Sequence, residues 1–520
     1  MKAEPPPSAR NKNLLMGAAV ATLSLPVVLF TAGWYTHFVF IAVTAAAVMA
    51  TYHACKPVQG DKTALPRKHI LSLLGCAGIV ALFLAIGGMV GYFPTHGDSW
   101  AFRQALYTNL LQEDWPLVLP NGREMTYYLA GMLPPAALAK LLPDSMQQLP
   151  ILLFTTIPVA LALGLYFKKW GYVSWLFLIL ALGFQDPLCA FFRPNGTFSS
   201  GMGATAQYLQ DLYQNHGCDW RILTSFYGNK TMLAPIHNCV GAYNSVPYTL
   251  LAAAIIMTGG KRKWLVPYTM AMLAFVSPLG AIALFPLAAC VYLRERELKL
   301  LPLCIECAAP AVLAALAAVY YGRTETGPSV ILPAWEVWGG KFWIFYVRYL
   351  LGASLLIVPL ITWRRREPAF WVTAASAALL PLLFIGTPPD GGVYQGFNEL
   401  TLKGTVVYTL VLGSMWKEDW EHVKPWIKIP MFCWVLIATA GYLGTQCIKF
   451  DWNHRVADMW NGHLNHDRAF LHQSVPGAKE ALLPGILIEK DKRHESAAHY
   501  LLPEAPGADY SQTPDPRAFD

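Results

Sequence analysis

YYLAGMLPPAALAKLL, residues 127–142, decides how this chain is threaded. The stretch is apolar, but it is short, carries Pro134-Pro135 and runs into Pro143. A helix needs about 20 apolar residues to cross a bilayer. Prolines inside a helix remove backbone donors and clash with the preceding turn. Read as a full crossing, the stretch would put Lys168/Lys169 and Lys261/Arg262/Lys263 on the wrong side of a membrane. Read as a short or re-entrant helix, it lets every basic cluster share one face.

The case for a membrane comes from composition. Of 520 residues, 55% are hydrophobic and only 14% charged, against roughly 25% charged in soluble proteins. Outside 127–142 the apolar residues fall in blocks at 14–30, 36–54, 70–93, 150–167, 173–190, 243–259, 265–277, 279–293, 300–321, 343–363, 370–386, 404–416 and 427–446. The fold expected is an all-α polytopic membrane protein with about 11–14 membrane helices. Residues 265–277 and 279–293 meet at Ser277-Pro278 and carry basic residues at both outer ends, so they read as a hairpin.

The formal charge of +7 is informative through its placement and gives no reason to expect nucleic acid. Lys56/Lys62/Arg67/Lys68, Lys168/Lys169, Lys261/Arg262/Lys263, Arg294/Arg296/Lys299 and Arg364/Arg365/Arg366 separate the blocks. The preference for basic residues in cytoplasmic loops then places 94–126, 191–242, 322–342, 387–403 and the tail 447–520 on the other face. Residues 1–13 are a polar cytoplasmic tail without a convincing cleavage site after the first apolar run. Residues 14–446 form the membrane domain, and the 447–520 tail reads as disordered from about 503. The ten cysteines are scattered. Cys304 and Cys307 form a lone CxxC inside an apolar block, and Cys218 and Cys239 share one loop without a spacing that decides whether they pair.

The polar loops carry the candidate chemistry. Asp98, in THGDSW, is placed to deprotonate an acceptor hydroxyl or to hold a divalent metal; its plainer role is a helix cap. His96 lies beside it. Trp100 to Leu111 is amphipathic, a pattern that suits the membrane interface. Glu113 and Asp114 follow, either as site residues or as a solvated helix end. Arg193 supplies a cation of the geometry that grips phosphate. His237 precedes a span at about the depth of Asp98. Asn398, Glu399 and Lys403 close the 387–403 loop, where Lys403 either contacts a phosphate or snorkels. His237 and Lys403 each begin a span on the Asp98 side, so a shared anion site is expected.

In order and sidedness, these segments resemble the C-type (GT-C) membrane glycosyltransferases. GYFPTHGDSW (91–100), EDWP (113–116) and TYYLAGMLPPA (126–136) are similar to that superfamily's first extracytoplasmic loop. LAPIHNCVGAY (233–243), FVSPLGAIALFPLA (275–288) and YQGFNELTLKG (394–404) look like segments of large bacterial members. The resemblance spans roughly 91–416. It departs where Lys403 replaces a commoner arginine, and where two additional helices, 14–54, precede the expected first one. It implies a GT-C-like bundle in the inner membrane of a bacterium. There, a sugar would pass from a polyprenyl-phosphate carrier to an extracytoplasmic glycan, lipid or protein. Asp98 would be the base or a ligand to Mg or Mn. The competing functions are a transporter or flippase of lipid-linked saccharide, which expects ionisable residues at mid-membrane depth, and a non-catalytic envelope assembly protein. Asp186 and Glu306 are the main ionisable residues within the spans.

Overall fold

A computed structural model describes residues 13–56, 75, 106–117 except 108, 127–143, 146–147, 149–170, 244–260, 262–294, 300–322, 330–338 and 367–386, with scattered positions at 342–350 and 400–429. The described residues are mostly helical. Among the described residues, four helices are long and apolar enough to cross a membrane: α1 (Leu14–Trp34), α2 (His37–Cys55), α4 (Leu149–Trp170) and the Leu303–Tyr321 part of α8 (Leu300–Tyr321). The shorter helices are α3 (Leu133–Ala139), α5 (Val246–Thr258), α6 (Leu265–Val276), α7 (Pro278–Leu293), α9 (Ala334–Trp338) and α10 (Pro368–Leu379).

Local chemistry explains several boundaries. Asn13 caps α1, its Oδ1 accepting from Met16 N at 3.4 Å. A two-residue corner, Tyr35-Thr36, turns the chain into α2. Ser277 ends α6 and caps α7, its Oγ accepting from Gly280 N at 3.2 Å, while Pro278 occupies the helix start, where its missing N–H costs nothing. Helix α5 is buried along nearly its whole length and packs against α4, α6 and α7, so it forms the centre of the bundle.

Hydrogen bonds between helix ends tie the basic residues together. Asn13 N donates to Cys55 O at 2.8 Å, and Lys168 Nζ reaches Asn13 Oδ1 at 3.2 Å. Lys169 Nζ donates to Met257 O, Arg262 Nη2 to Lys56 O at 2.6 Å, and Lys263 Nζ to Arg294 O at 2.8 Å. Arg294 pairs with Glu367 at 3.2 Å. Most of these acceptors are carbonyls left open at helix C-termini, which cations stabilise. The described members of the basic clusters therefore share one end of the bundle. The Lys263–Arg294 contact closes the α6–α7 hairpin at that end. Helices α1, α2, α4, α5, α6, α7 and α8 each run between it and the opposite end, called the aromatic end below.

The 127–142 stretch does not run the length of the bundle. A 3-10 turn, Ala130–Met132, leads into α3, whose seven residues span only about 10 Å. Lys140, just past α3, reaches back to Glu113 O at 2.8 Å. Tyr107 Oη, beside Leu106, donates to Gln147 O at 2.7 Å, just ahead of α4. The segment leaves and returns at the aromatic end, as a re-entrant helix does.

Two features depart from the expected boundaries. The 370–386 block is helical only to Leu379. A 3-10 turn containing Pro381 follows, and then a strand. That strand, β2 (Leu383–Gly386), pairs antiparallel with β1 (Val330–Pro333), adding a two-stranded ribbon to the helical fold. Pro381 lacks the donor that would continue the helix. The Trp100–Leu111 stretch, expected at the interface plane, is helical at 106, 107 and 109–111, where Leu106, Tyr107 and Leu110 are fully buried.

The outer helices expose apolar side chains. Within their apolar windows, α1 and α4 bury 56% of residues, whereas α2 buries 22% and α8 only 17%. Phe38, Ile41, Val48 and Met49 face outward on α2, and Leu301, Ile305 and Val312 on α8. The face that α2 turns inward carries Val43, Ala47, Ala50 and Ala54, small residues that let helices approach closely in lipid. Exposed apolar surface of this extent on the described helices is compatible with a bilayer.

Candidate functional site at the aromatic end

The aromatic end is built from three tyrosine-bearing segments around Phe30. The Phe30 ring stacks on Trp34 at 4.9 Å and meets Tyr320 edge-on at 4.6 Å, with Phe275 and Tyr35 each 6.1 Å away. Tyr320 Oη accepts from Tyr127 N at 3.1 Å and lies 3.2 Å from Tyr127 O. Tyr128 follows, with its ring 5.9 Å from that of Tyr321. Tyr321 Oη donates to Phe275 O at 2.6 Å. Such ring pairs add about 0.5–1.5 kcal/mol each beyond burial, so this wall is rigid.

Lys403 stands against that wall. Its residue is helical and 2% exposed, and its Nζ lies 4.0 Å from the centre of the Tyr128 ring. Leu400, Lys403, Gly404, Val407, Tyr408, Val411, Leu412 and Met415 are helical and buried, the spacing of one inward helix face. Lys403 therefore belongs to the packed face and does not snorkel to water. Next to it, Gly404 sits so close to α7 and the turn after α10 that an added Cβ would be 2.8 Å from Ala283 Cβ and 2.6 Å from Leu380 Cδ1.

Asn244, just ahead of α5, fixes the Tyr128 segment. Its Nδ2 donates to Tyr128 O at 3.1 Å. The residue is 1% exposed, and its Oδ1 is buried without a hydrogen-bond partner among the described residues. The backbones touch as well, since a Cβ built on Gly131 would fall 1.9 Å from Asn244 O. The obstacle is backbone and cannot rotate away. Gly131→Ala is therefore expected to cost about 3 kcal/mol, the upper range for overpacking, seen as a lower unfolding midpoint of the purified protein. An unchanged midpoint would mean that the two segments are not in contact.

Glu113 and Asp114 lie at the same end, on the rim. Glu113 N donates to Asn109 O at 2.9 Å. Lys140 Nζ caps Glu113 O and lies 5.1 Å from the Trp115 ring centre, and the Trp115 ring is 6.2 Å from that of Trp34. Glu113 is half-buried and Asp114 exposed, as at a capped helix terminus. The line Trp115–Trp34–Phe30–Tyr320–Tyr127–Tyr128 connects this rim to Lys403.

Of the residues singled out in the sequence, Glu113, Asp114 and Lys403 are therefore at one end. Asp98, His96, Arg193, His237, Asn398 and Glu399 lie outside the described residues, as do Asp186, Cys218 and Cys239. No cluster of three or more potential metal ligands occurs among the described residues. Glu306 lies in the first third of α8, toward the basic end, and accepts from Tyr292 Oη at 3.0 Å. Sequence reasoning singled out the Tyr127-Tyr128 block but missed Asn244 and the Tyr320-Tyr321 pair. The available signal was Asn244-Ser245 directly before an apolar run. Compared with known proteins, the chain matches no family model, no curated protein and no solved structure.

Proposed function

We propose that the chain is a multi-pass membrane glycosyltransferase that takes a sugar from a polyprenyl-phosphate carrier and transfers it to an extracytoplasmic acceptor. The observation that carries this reading is the buried Lys403 ammonium, set over Tyr128 at the end opposite the basic residues. A donor of this class has a hydrocarbon tail that stays in lipid and a phosphate that needs a cation near the membrane surface. The exposed apolar faces of α2 and α8 suit the first requirement, and Lys403 suits the second. If the basic end is cytoplasmic, the aromatic end is extracytoplasmic, the face on which polyprenyl-linked sugars are consumed.

Within that reading the residues have distinct tasks. Lys403 neutralises the phosphate, which becomes the leaving group when the glycosidic bond to the acceptor oxygen forms. Tyr127 and Tyr128, both half-buried, offer ring faces against which a sugar packs. Asp98 takes the acceptor hydroxyl proton, with or without a divalent metal. His96, Arg193, His237, Asn398 and Glu399 are further candidates for donor contacts, and Glu113 and Asp114 for acceptor contacts at the rim. A transporter would need ionisable groups at mid-depth; of the two candidates in the spans, Glu306 lies toward the basic end and Asp186 lies outside the described residues.

The test is a transfer assay in proteoliposomes. Purified protein is given polyprenyl-phosphate sugars labelled in the sugar, with candidate glycan, lipid and peptide acceptors. Acceptor-dependent release of unlabelled polyprenyl phosphate supports the proposal. Movement of intact labelled donor across the bilayer without release would support the flippase instead.

A further inference from the structure

The other end of the bundle carries a second, separate site. We infer that the corner between the end of α2 and the α5–α6 turn binds the phosphate headgroup of an anionic phospholipid. The inference rests on the membrane reading above but not on glycosyl transfer.

Lys56 directly follows α2 and is exposed, with Nζ 4.7 Å from the centre of the Tyr52 ring. That ring is itself 63% exposed, so the ammonium is held over an aromatic face at the surface. His53 lies one turn before the helix end, also exposed, with its ring 6.3 Å from that of Trp264. Arg262, in the turn ahead of α6, fixes the corner by donating to Lys56 O at 2.6 Å.

Three properties of this corner match an anionic lipid. Its charge is positive, from Lys56 and Arg262, while the acids described nearest the basic end, Glu367 and Glu306, are engaged by Arg294 and Tyr292. Its rings, Tyr52 and Trp264, are of the type that sits at headgroup level. Directly below, α2 presents Val48 and Met49, 63% and 62% exposed, as a track for an acyl chain. A nucleic acid or acidic protein would satisfy the charge and leave the apolar track uncovered. A phosphatidylglycerol-like lipid covers both.

The experiment uses the full-length protein in mixed micelles of phosphatidylglycerol and phosphatidylcholine, with retained lipid read by native mass spectrometry. Wild-type protein should retain phosphatidylglycerol preferentially. Lys56→Ala should lower that preference about fivefold, the worth of one basic side chain at an anionic membrane surface. Lys56→Arg should restore it, and Lys140→Ala at the aromatic end should leave it unchanged. Equal retention of the two lipids, or an undiminished preference in Lys56→Ala, overturns the inference. Displacement of the lipid by short RNA at equal phosphate concentration would also overturn it, by showing indiscriminate polyanion binding. A protein that stays monodisperse without detergent or lipid would instead sink the membrane reading itself.

Discussion

Asp98→Asn is expected to lower sugar transfer about 10²–10⁴-fold, the range for loss of a positioned acid–base group, while leaving expression and the unfolding midpoint near those of the parent. The amide keeps the size and much of the hydrogen bonding of the carboxylate. It removes the basicity and most of the affinity for a divalent ion. Asp98 lies in the polar 94–126 loop, whose later part emerges at the aromatic end beside Trp34 and Lys140. The loss should appear in kcat with little change in KM for the donor, because a base acts on the acceptor proton and does not hold the lipid phosphate. Addition of Mg or Mn to the parent separates the two roles. A metal ligand predicts activity that a chelator abolishes, and a base alone predicts chelator resistance. A folded Asp98→Asn protein with full transfer activity would remove Asp98 from the catalytic role.

Lys403→Met is expected to show the complementary pattern. Methionine matches the length of the lysine stem and suits a buried position, so the chain should still fold. Donor affinity should fall about 10²-fold, within the range for truncating one partner of a buried charge pair. Acceptor affinity should be unaffected. Lys403→Arg is a sharper case. On chemistry alone a guanidinium would serve a phosphate as well or better, through two parallel hydrogen bonds. Lys403 is itself only 2% exposed, which leaves little room for the larger group. Arginine should thus preserve donor affinity while lowering the unfolding midpoint. Loss of both in Lys403→Met would reassign the residue to stability.

Much of the described helical architecture was legible in the sequence because long apolar runs bounded by charged residues mark helix lengths directly. The apolar blocks at 14–30, 36–54, 150–167 and 300–321 correspond to helices within a few residues of those bounds. Pro134-Pro135 and the flanking basic clusters marked 127–142 as a short or re-entrant helix, and its helical part is the seven-residue α3. The ribbon was less visible, since Leu383 to Gly386 is as apolar as the helix before it, and only Pro381 marked the change. Burial of Lys403 could not be read locally either. A lysine at the head of an apolar span has the same sequence pattern whether it reaches water or a tyrosine ring. The outcome depended on Tyr128, far away in the chain and held by Asn244. Contacts of that kind are set by tertiary packing and leave no periodic trace.

The most direct test of the central claim is a cryo-electron-microscopy map of the protein in a nanodisc containing polyprenyl phosphate. Phosphate density is expected within hydrogen-bonding reach of Lys403 Nζ, beside the Tyr128 ring, with the lipid tail running down the outside of the bundle. Phosphate density only at the basic end, or an aromatic end left empty at saturating polyprenyl phosphate, would contradict it.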